Sequence, residues 1–426
     1  MFSRHQSNQF RKALPVQVSH RFAVSSAVFD DQHLVSCAGL VPVMTLAAQT
    51  GGLAELLAGK VRFTCERIKS GAANPAPKLT TLIAGMCAGA DSIDDLDLVR
   101  SGGMKTLFDG VYASSTIGTL LREFTFGHAR QLDGVLRGHL VALCERVALL
   151  PGAHQRAFID IDSLLRPVYG HAKQGASYGH TKIAGKQILR KGLSPPLIAT
   201  LSTGDSAPVI AGARLRAGKA NSGRGAASMI VEAVATARAA GVTGEILVRG
   251  DSAYGTGTVI RAARRAGGAR FSVVLNKSTT VAAAIDSIDE DAWIPVSYPG
   301  AVRDPPDTGA WISDAEVAEI AYTAFSSTDH PITARLIVRR VKDARYPDTL
   351  FPVWRYHPFF TDTDEPVDAA DITHRRHAVI ETVFADLIDG PPWRTCPQDC
   401  SGANSAWILC AAIAHNLLRA AGVLAG

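Results

Sequence analysis

Three groups of carboxylates in this sequence have the types and spacing for metal-assisted chemistry. The first is Asp160-Ile161-Asp162, inside the alternating run Ala157-Phe158-Ile159-Asp160-Ile161-Asp162-Ser163-Leu164-Leu165, which reads as a β-strand. Residues two apart on a strand share a face, so the two carboxylates would project side by side. Buried together they would repel and raise one pKa unless a cation lies between them, and hard oxygen ligands suit Mg2+ or Mn2+. A strand with one solvated face would carry the same residues. The second group is Ile246-Leu247-Val248-Arg249-Gly250-Asp251-Ser252-Ala253-Tyr254-Gly255, an apolar strand that ends in Asp251 and runs through small residues into a helix. Clefts of α/β sheets form at such strand ends. Asp251 suits a ligand and equally the cap of the next helix.

The third group is Thr373-His374-Arg375-Arg376-His377-Ala378-Val379-Ile380-Glu381-Thr382-Val383-Phe384. At helical spacing His374, His377 and Glu381 share one face, while Ile380, Val383 and Phe384 form the packing face. A carboxylate flanked by His374, His377, Arg375 and Arg376 suits a metal and a phosphate, and a solvated face is the plainer reading. Taken together, two strand-borne aspartates followed by a helix-borne glutamate form the set that two-metal phosphoryl transfer requires.

The elements that must position these groups follow from composition and patterning. The chain has 426 residues, 47% hydrophobic and 19% charged, enough apolar content for large cores and too little charge for disorder. Net charge is +5, from 44 Lys and Arg against 39 Asp and Glu, weak support for a polyanionic partner. Seven cysteines without paired spacing suit a reducing compartment, and the Cys396/Cys400 pair lacks the further ligands of a zinc site. The start, Met1 to Gln6, has no apolar core behind its charges, the run from Leu34 to Ala48 is too short to span a bilayer, and the apolar stretch from Ala406 is broken by His415, Asn416 and Arg419. A soluble, cytoplasmic protein is expected, with no membrane partner.

Residues 1–150 read as a helical region suited to DNA binding or assembly. The segment Lys78 to Ala88 is apolar, Ser92 to Arg100 has a Ser cap and acids in its first turn, and Ala113 to Arg122 repeats the pattern. From residue 151 the texture is mixed α/β: strands at Ala157 to Leu165, Leu197 to Ser202, Pro208 to Leu215, Gly244 to Asp251 and Arg270 to Leu275, with helices Gly225 to Ala240 and Thr256 to Ala266. Residues 289–369 form a β-rich insertion, with strand-like segments Val317 to Tyr322, Thr333 to Arg340 and Val353 to Tyr356. Helical patterning resumes over residues 370–426. Arg214, Arg216, Lys219 and Arg224, interrupted by Gly218 and Gly223, read as phosphate contacts on a loop, and Lys182, Lys186, Arg190 and Lys191 form a second basic cluster.

In order along the chain, four stretches carry a resemblance: Phe158 to Asp162 with Tyr169 to Gly175; Arg214 to Ser222; Val248 to Tyr254; and His374 to Asp386 with Asn404 to Trp407. With them the sequence resembles the DDE transposases of bacterial insertion sequences, most closely insertion-sequence family 1380 of actinobacterial type, across residues 30–422. The resemblance implies a ribonuclease-H-like catalytic core over residues 151–288 and 370–426. It implies Asp162, Asp251 and Glu381 as catalytic residues and ligands of two Mg2+ (or Mn2+) ions. Asp162 is preferred to Asp160 as first Asp because the related pattern is an Asp followed closely by Ser or Thr. It further implies double-stranded DNA partners (terminal inverted repeats and target DNA), a homodimer or higher assembly, a nucleoid-associated location, and DNA cleavage followed by strand transfer. The wider superfamily often has Tyr, Arg, Glu and Lys where this chain has His374, His377, Glu381 and Ile388. The two histidines stand as candidate DNA contacts. A DNA-binding copy without catalysis and a nuclease that does not transpose are the alternative readings.

Overall fold

A computed structural model describes residues 31–63, 70–163, 166–167, 173–183, 186–217, 220–221, 223–296, 302–303, 311–312, 315–343, 350–390 and 400–426. The first part is helical: α1 (Leu40–Gly51), α2 (Leu53–Lys60), α3 (Pro75–Cys87), α4 (Ser114–Arg122) and α5 (Phe126–Arg146). Pro at the first turn starts α3, where a missing N–H costs nothing. Thr125 caps α5 by accepting from the His128 N–H, while the His128 ring accepts from the Thr125 N–H. The segment from Ser92 to Arg100, expected as a helix, forms a tighter 3-10 run, Asp94–Val99. There the Asp95 carboxylate takes the Ser92 N–H and hydroxyl, drawing the chain into a short turn.

The second part is a mixed sheet with helices. Its strands are β1 (Arg156–Ser163), β2 (Lys186–Ser202) and β3 (Val209–Arg216). Helix α6 (Ala226–Ala239) leads to β4 (Glu245–Gly250), and α7 (Gly257–Arg265) leads to β5 (Arg270–Val274). The order is β3-β2-β1-β4-β5; β1, β2 and β3 run antiparallel as a meander, and β4 and β5 lie parallel to β1. This is the ribonuclease-H-like arrangement. The parallel steps need crossovers, which α6 and α7 supply. Strand β2 is longer than its sequence pattern suggests, and its outer half pairs with the short strand Ser177–Ile183. Side chains of Lys182, Lys186, Arg190 and Lys191 lie outside the described residues, as do residues 1–30 and Cys396; Cys400 is a free thiol.

After α8 (Thr279–Asp286) come β6 (Ala315–Ala324), β7 (Ile332–Lys342) and β8 (Trp354–Thr361). They continue the same sheet: β8 pairs with β5, β7 with β8 and β6 with β7, all antiparallel. The β-rich segment is therefore an extension of the sheet beyond β5, because β5 would otherwise present an open edge. The chain then forms α9 (Val367–Arg375), α10 (Ile380–Asp389) and α11 (Ser401–Ala425). By length and composition α11 suits a membrane span, but here it is a core helix, packed on α5, α3 and β3 with Trp407, Cys410, Ile413 and Leu417 buried. One continuous apolar cluster joins the helical part to the sheet.

Candidate active site

The parallel pairing of β1 with β4 sets the site. Asp160 lies opposite Arg249 and Ile161 opposite Gly250. One step further, the register brings Asp162 beside Asp251, the first residue beyond β4. Side-chain alternation puts Asp160 and Asp162 on one face of β1, with Arg249 and Asp251 on the matching face of β4. Helix α10 packs against β1 and carries Glu381 in its first turn.

The two aspartates of β1 have separate partners. Asp160 is buried in a bidentate ion pair with Arg249, Nε to Oδ1 at 2.7 Å and Nη2 to Oδ2 at 2.8 Å. Burial raises its pKa, and the guanidinium works against that rise. Asp162 accepts from the Ser163 N–H at 2.6 Å. Its pKa is pushed up to about 7, first by burial and then by the charges of Asp251 and Glu381, against the pull of that N–H. The like-charge effect places the three carboxylates within electrostatic reach of one another. Among the described residues none of the three is ion-paired. Asp160, held as an alternative first Asp, has its two oxygens taken up by Arg249.

Local geometry fixes Asp251. Its Oδ1 accepts from the Ala253 N–H at 2.9 Å and its backbone carbonyl from the Tyr254 N–H at 3.0 Å. The turn then passes under β5: a Cβ on Gly255 would stand 2.1 Å from the Val274 carbonyl oxygen, so only glycine fits.

The stretch expected as one helix carrying His374, His377 and Glu381 is instead divided. The helix is interrupted by a 3-10 turn, Arg376–Val379, which changes the phase between α9 and α10. His374 is buried, bonded through Nδ1 to the Ser272 hydroxyl at 2.8 Å and stacked on Phe359 with ring centroids 4.2 Å apart. Burial, with His377, Arg249 and Arg339 nearby, holds its pKa well below the usual value. His377 meets the His374 carbonyl through Nδ1 at 2.7 Å. Both rings line a cleft of about 500 Å³ whose wall also includes Ser252, which follows Asp251 in the chain, and Lys277, Arg339, Tyr356 and Arg375. Ile388, in the last turn of α10, packs against the core.

Residues 19–422 match the family described as transposase DDE domain group 1. The chain belongs to that family. No curated protein gives a significant match to it. Membership carries a polynucleotidyl-transferase type of activity, with DNA as its object.

For a transposase the basic residues expected on a loop sit differently from their sequence reading. Arg214 and Arg216 are on β3, and Arg214 is tied to Glu232 at 3.2 Å and Ser228 at 3.0 Å. Glu232 also receives Arg130 and Arg137 of α5, so this network fastens the helical part to α6. Burial lowers the pKa of both Arg214 and Arg216. Arg216 donates to the carbonyls of Asn221 and Arg224 in the loop that follows β3. Arg224 is exposed on that loop, whose Gly223 lies against the Ala253 carbonyl; Lys219 lies outside the described residues.

Sequence patterning did not single out Arg249 or Gly255. A signal for Arg249 was present: an arginine in the apolar run Ile246 to Gly250 needs a buried carboxylate, and Asp160 is the inward acid of the neighbouring strand.

Proposed function

We propose that this transposase cleaves DNA at the ends of an insertion sequence and transfers the freed 3′ ends into target DNA, with Asp162, Asp251 and Glu381 as its metal-holding residues. The finer placement in insertion-sequence family 1380 belongs to the same reading. Support for it comes from the parallel register that runs from Ile161 and Gly250 on to Asp162 and Asp251, with Glu381 in the first turn of the helix packed on β1; the raised pKa of Asp162, due in part to Asp251 and Glu381, agrees with it. Three carboxylates that repel one another and, among the described residues, have no ion-pair partner suit hard divalent ions, two Mg2+ or Mn2+. Among the described residues no three such side chains already close into a metal cage. The donor chemistry fits, and the ions and the DNA would complete the approach.

When bound, the ions activate the attacking oxygen and stabilise the leaving one. The chain's own residues do the rest. Asp162 and Asp251 present oxygens from adjacent strands, and Glu381 does so from α10. The Ser163 and Ala253 N–H groups orient the two aspartates. The cleft lined by Ser252, Lys277, Arg339 and Arg375 takes the DNA strand, and exposed Arg224 meets phosphates. Joining two ends at once needs two active sites, hence a homodimer or larger assembly on DNA, in the cytoplasm at the nucleoid.

The test is Mg2+-dependent cleavage of a labelled duplex carrying the element's terminal inverted repeats, with Asp251→Ala alongside. Cleavage at the element boundary that disappears in the variant is expected. Cleavage that survives in the variant would remove Asp251 from the site, and cutting without need of the repeats would point to a nuclease that does not transpose.

A further inference from the structure

We propose that Arg249 is a positioning residue that holds the three carboxylate-bearing segments in their mutual register. This rests on the reading of Asp162, Asp251 and Glu381 given above. Arg249 is 1% exposed and spends its guanidinium on two elements besides its own. Nε and Nη2 grip Asp160, two residues before Asp162, and Nη1 donates to the Thr373 carbonyl at 2.7 Å. The guanidinium lies 4.1 Å from the ring centroid of Phe158. Arg249 itself stands two residues before Asp251, and Thr373 leads through the 3-10 turn to Glu381. One side chain therefore links the strand of each aspartate to α9, the helix that leads into the glutamate's α10.

The neighbouring bonds lock the same segment. His374 is fixed to Ser272, which lies opposite Arg249 in the β4–β5 register. The Thr373 hydroxyl donates to Glu365 at 2.9 Å, and Glu365 receives Arg156 at the start of β1 at 2.5 Å. Stability does not account for the ion pair, since well-packed apolar residues in place of a buried pair are often neutral or better. Geometry does account for it: a planar fork of N–H donors reaches a carboxylate and a carbonyl at once, which a lysine ammonium cannot reproduce.

The decisive variant is the double substitution Asp160→Leu with Arg249→Met, which keeps the site filled and leaves no buried charge. Mn2+ binding to the protein without DNA is read by electron paramagnetic resonance, next to wild type, Asp251→Ala and Arg249→Lys, with thermal melting as the check on folding. The expected result is a double variant that melts as a folded protein and binds Mn2+ at least tenfold more weakly. The Mg2+ midpoint for cleavage should move up by a similar factor, with activity recovered at high Mg2+. Arg249→Lys should shift in the same direction, which secures the result should the double variant fail to fold. Folded variants with wild-type Mn2+ affinity and Mg2+ midpoint would overturn the role of Arg249 while leaving the site intact. Wild-type protein without Asp251-dependent Mn2+ binding would overturn the site and this role together.

Discussion

Asn416 satisfies both backbone groups of Ile210, its Oδ1 accepting from the Ile210 N–H at 2.7 Å and its Nδ2 donating to the Ile210 carbonyl at 2.8 Å. Ile210 lies on β3, which among the described residues pairs with β2 alone, so a side chain of α11 closes the far edge where a further strand would otherwise dock. All these groups are buried. Asn416→Ala leaves two backbone groups without partners and should cost roughly 2–6 kcal/mol, at about 1–3 kcal/mol for each unsatisfied group. Urea unfolding measures it, and a loss below half of that range would show water replacing the amide.

Asp160 and Asp162 should separate cleanly on substitution. Asp160→Asn leaves Arg249 buried without its carboxylate and should lower stability by about 3–5 kcal/mol. Asp162→Asn removes a repelled carboxylate, so it should melt no lower than wild type while DNA cleavage is lost. Melting curves and a cleavage assay on both proteins decide it; the opposite pattern would make Asp160 the ligand.

His139 on α5 gives a pH dependence. Burial pushes its pKa down to about 4, and neither ring nitrogen has a hydrogen-bond partner among the described residues. Between pH 6.5 and 4 the unfolded chain takes up a proton that the folded chain refuses, so this contribution is complete above pH 6.5 and is lost as pH falls. The loss approaches about 3 kcal/mol near pH 4, at about 1.4 kcal/mol per pH unit. His139→Leu should flatten the acid side of a stability-versus-pH curve; an unchanged slope would clear His139 of the effect.

Gly255→Ala probes the turn that carries Asp251. Its Cβ would collide with the Val274 carbonyl, so turn and strand must part, at about 1–3 kcal/mol. Cleavage should fall further than stability, because the shift moves Asp251 relative to Asp162. A variant with wild-type activity and reduced stability would show that the turn tolerates displacement.

The sequence by itself determined the strand of Asp160 and Asp162, the strand-turn-helix of Asp251, the helical stretch of Glu381 and the α/β character between them. Each is a local signal: period-two alternation, an apolar run closed by small residues, apolar spacing on one helix face. The tertiary structure alone decided which β1 aspartate stays open. That choice depends on Arg249, a residue 89 positions away brought opposite Asp160 by a parallel register. It also turned Arg214 from an expected phosphate contact into part of the network on Glu232, and His374 from a surface ring into a buried one. Only structure showed β6 to β8 extending the central sheet, since strand pattern does not say which edge a strand will join. Local patterning writes the elements, while pairing between distant residues assigns each charge its partner.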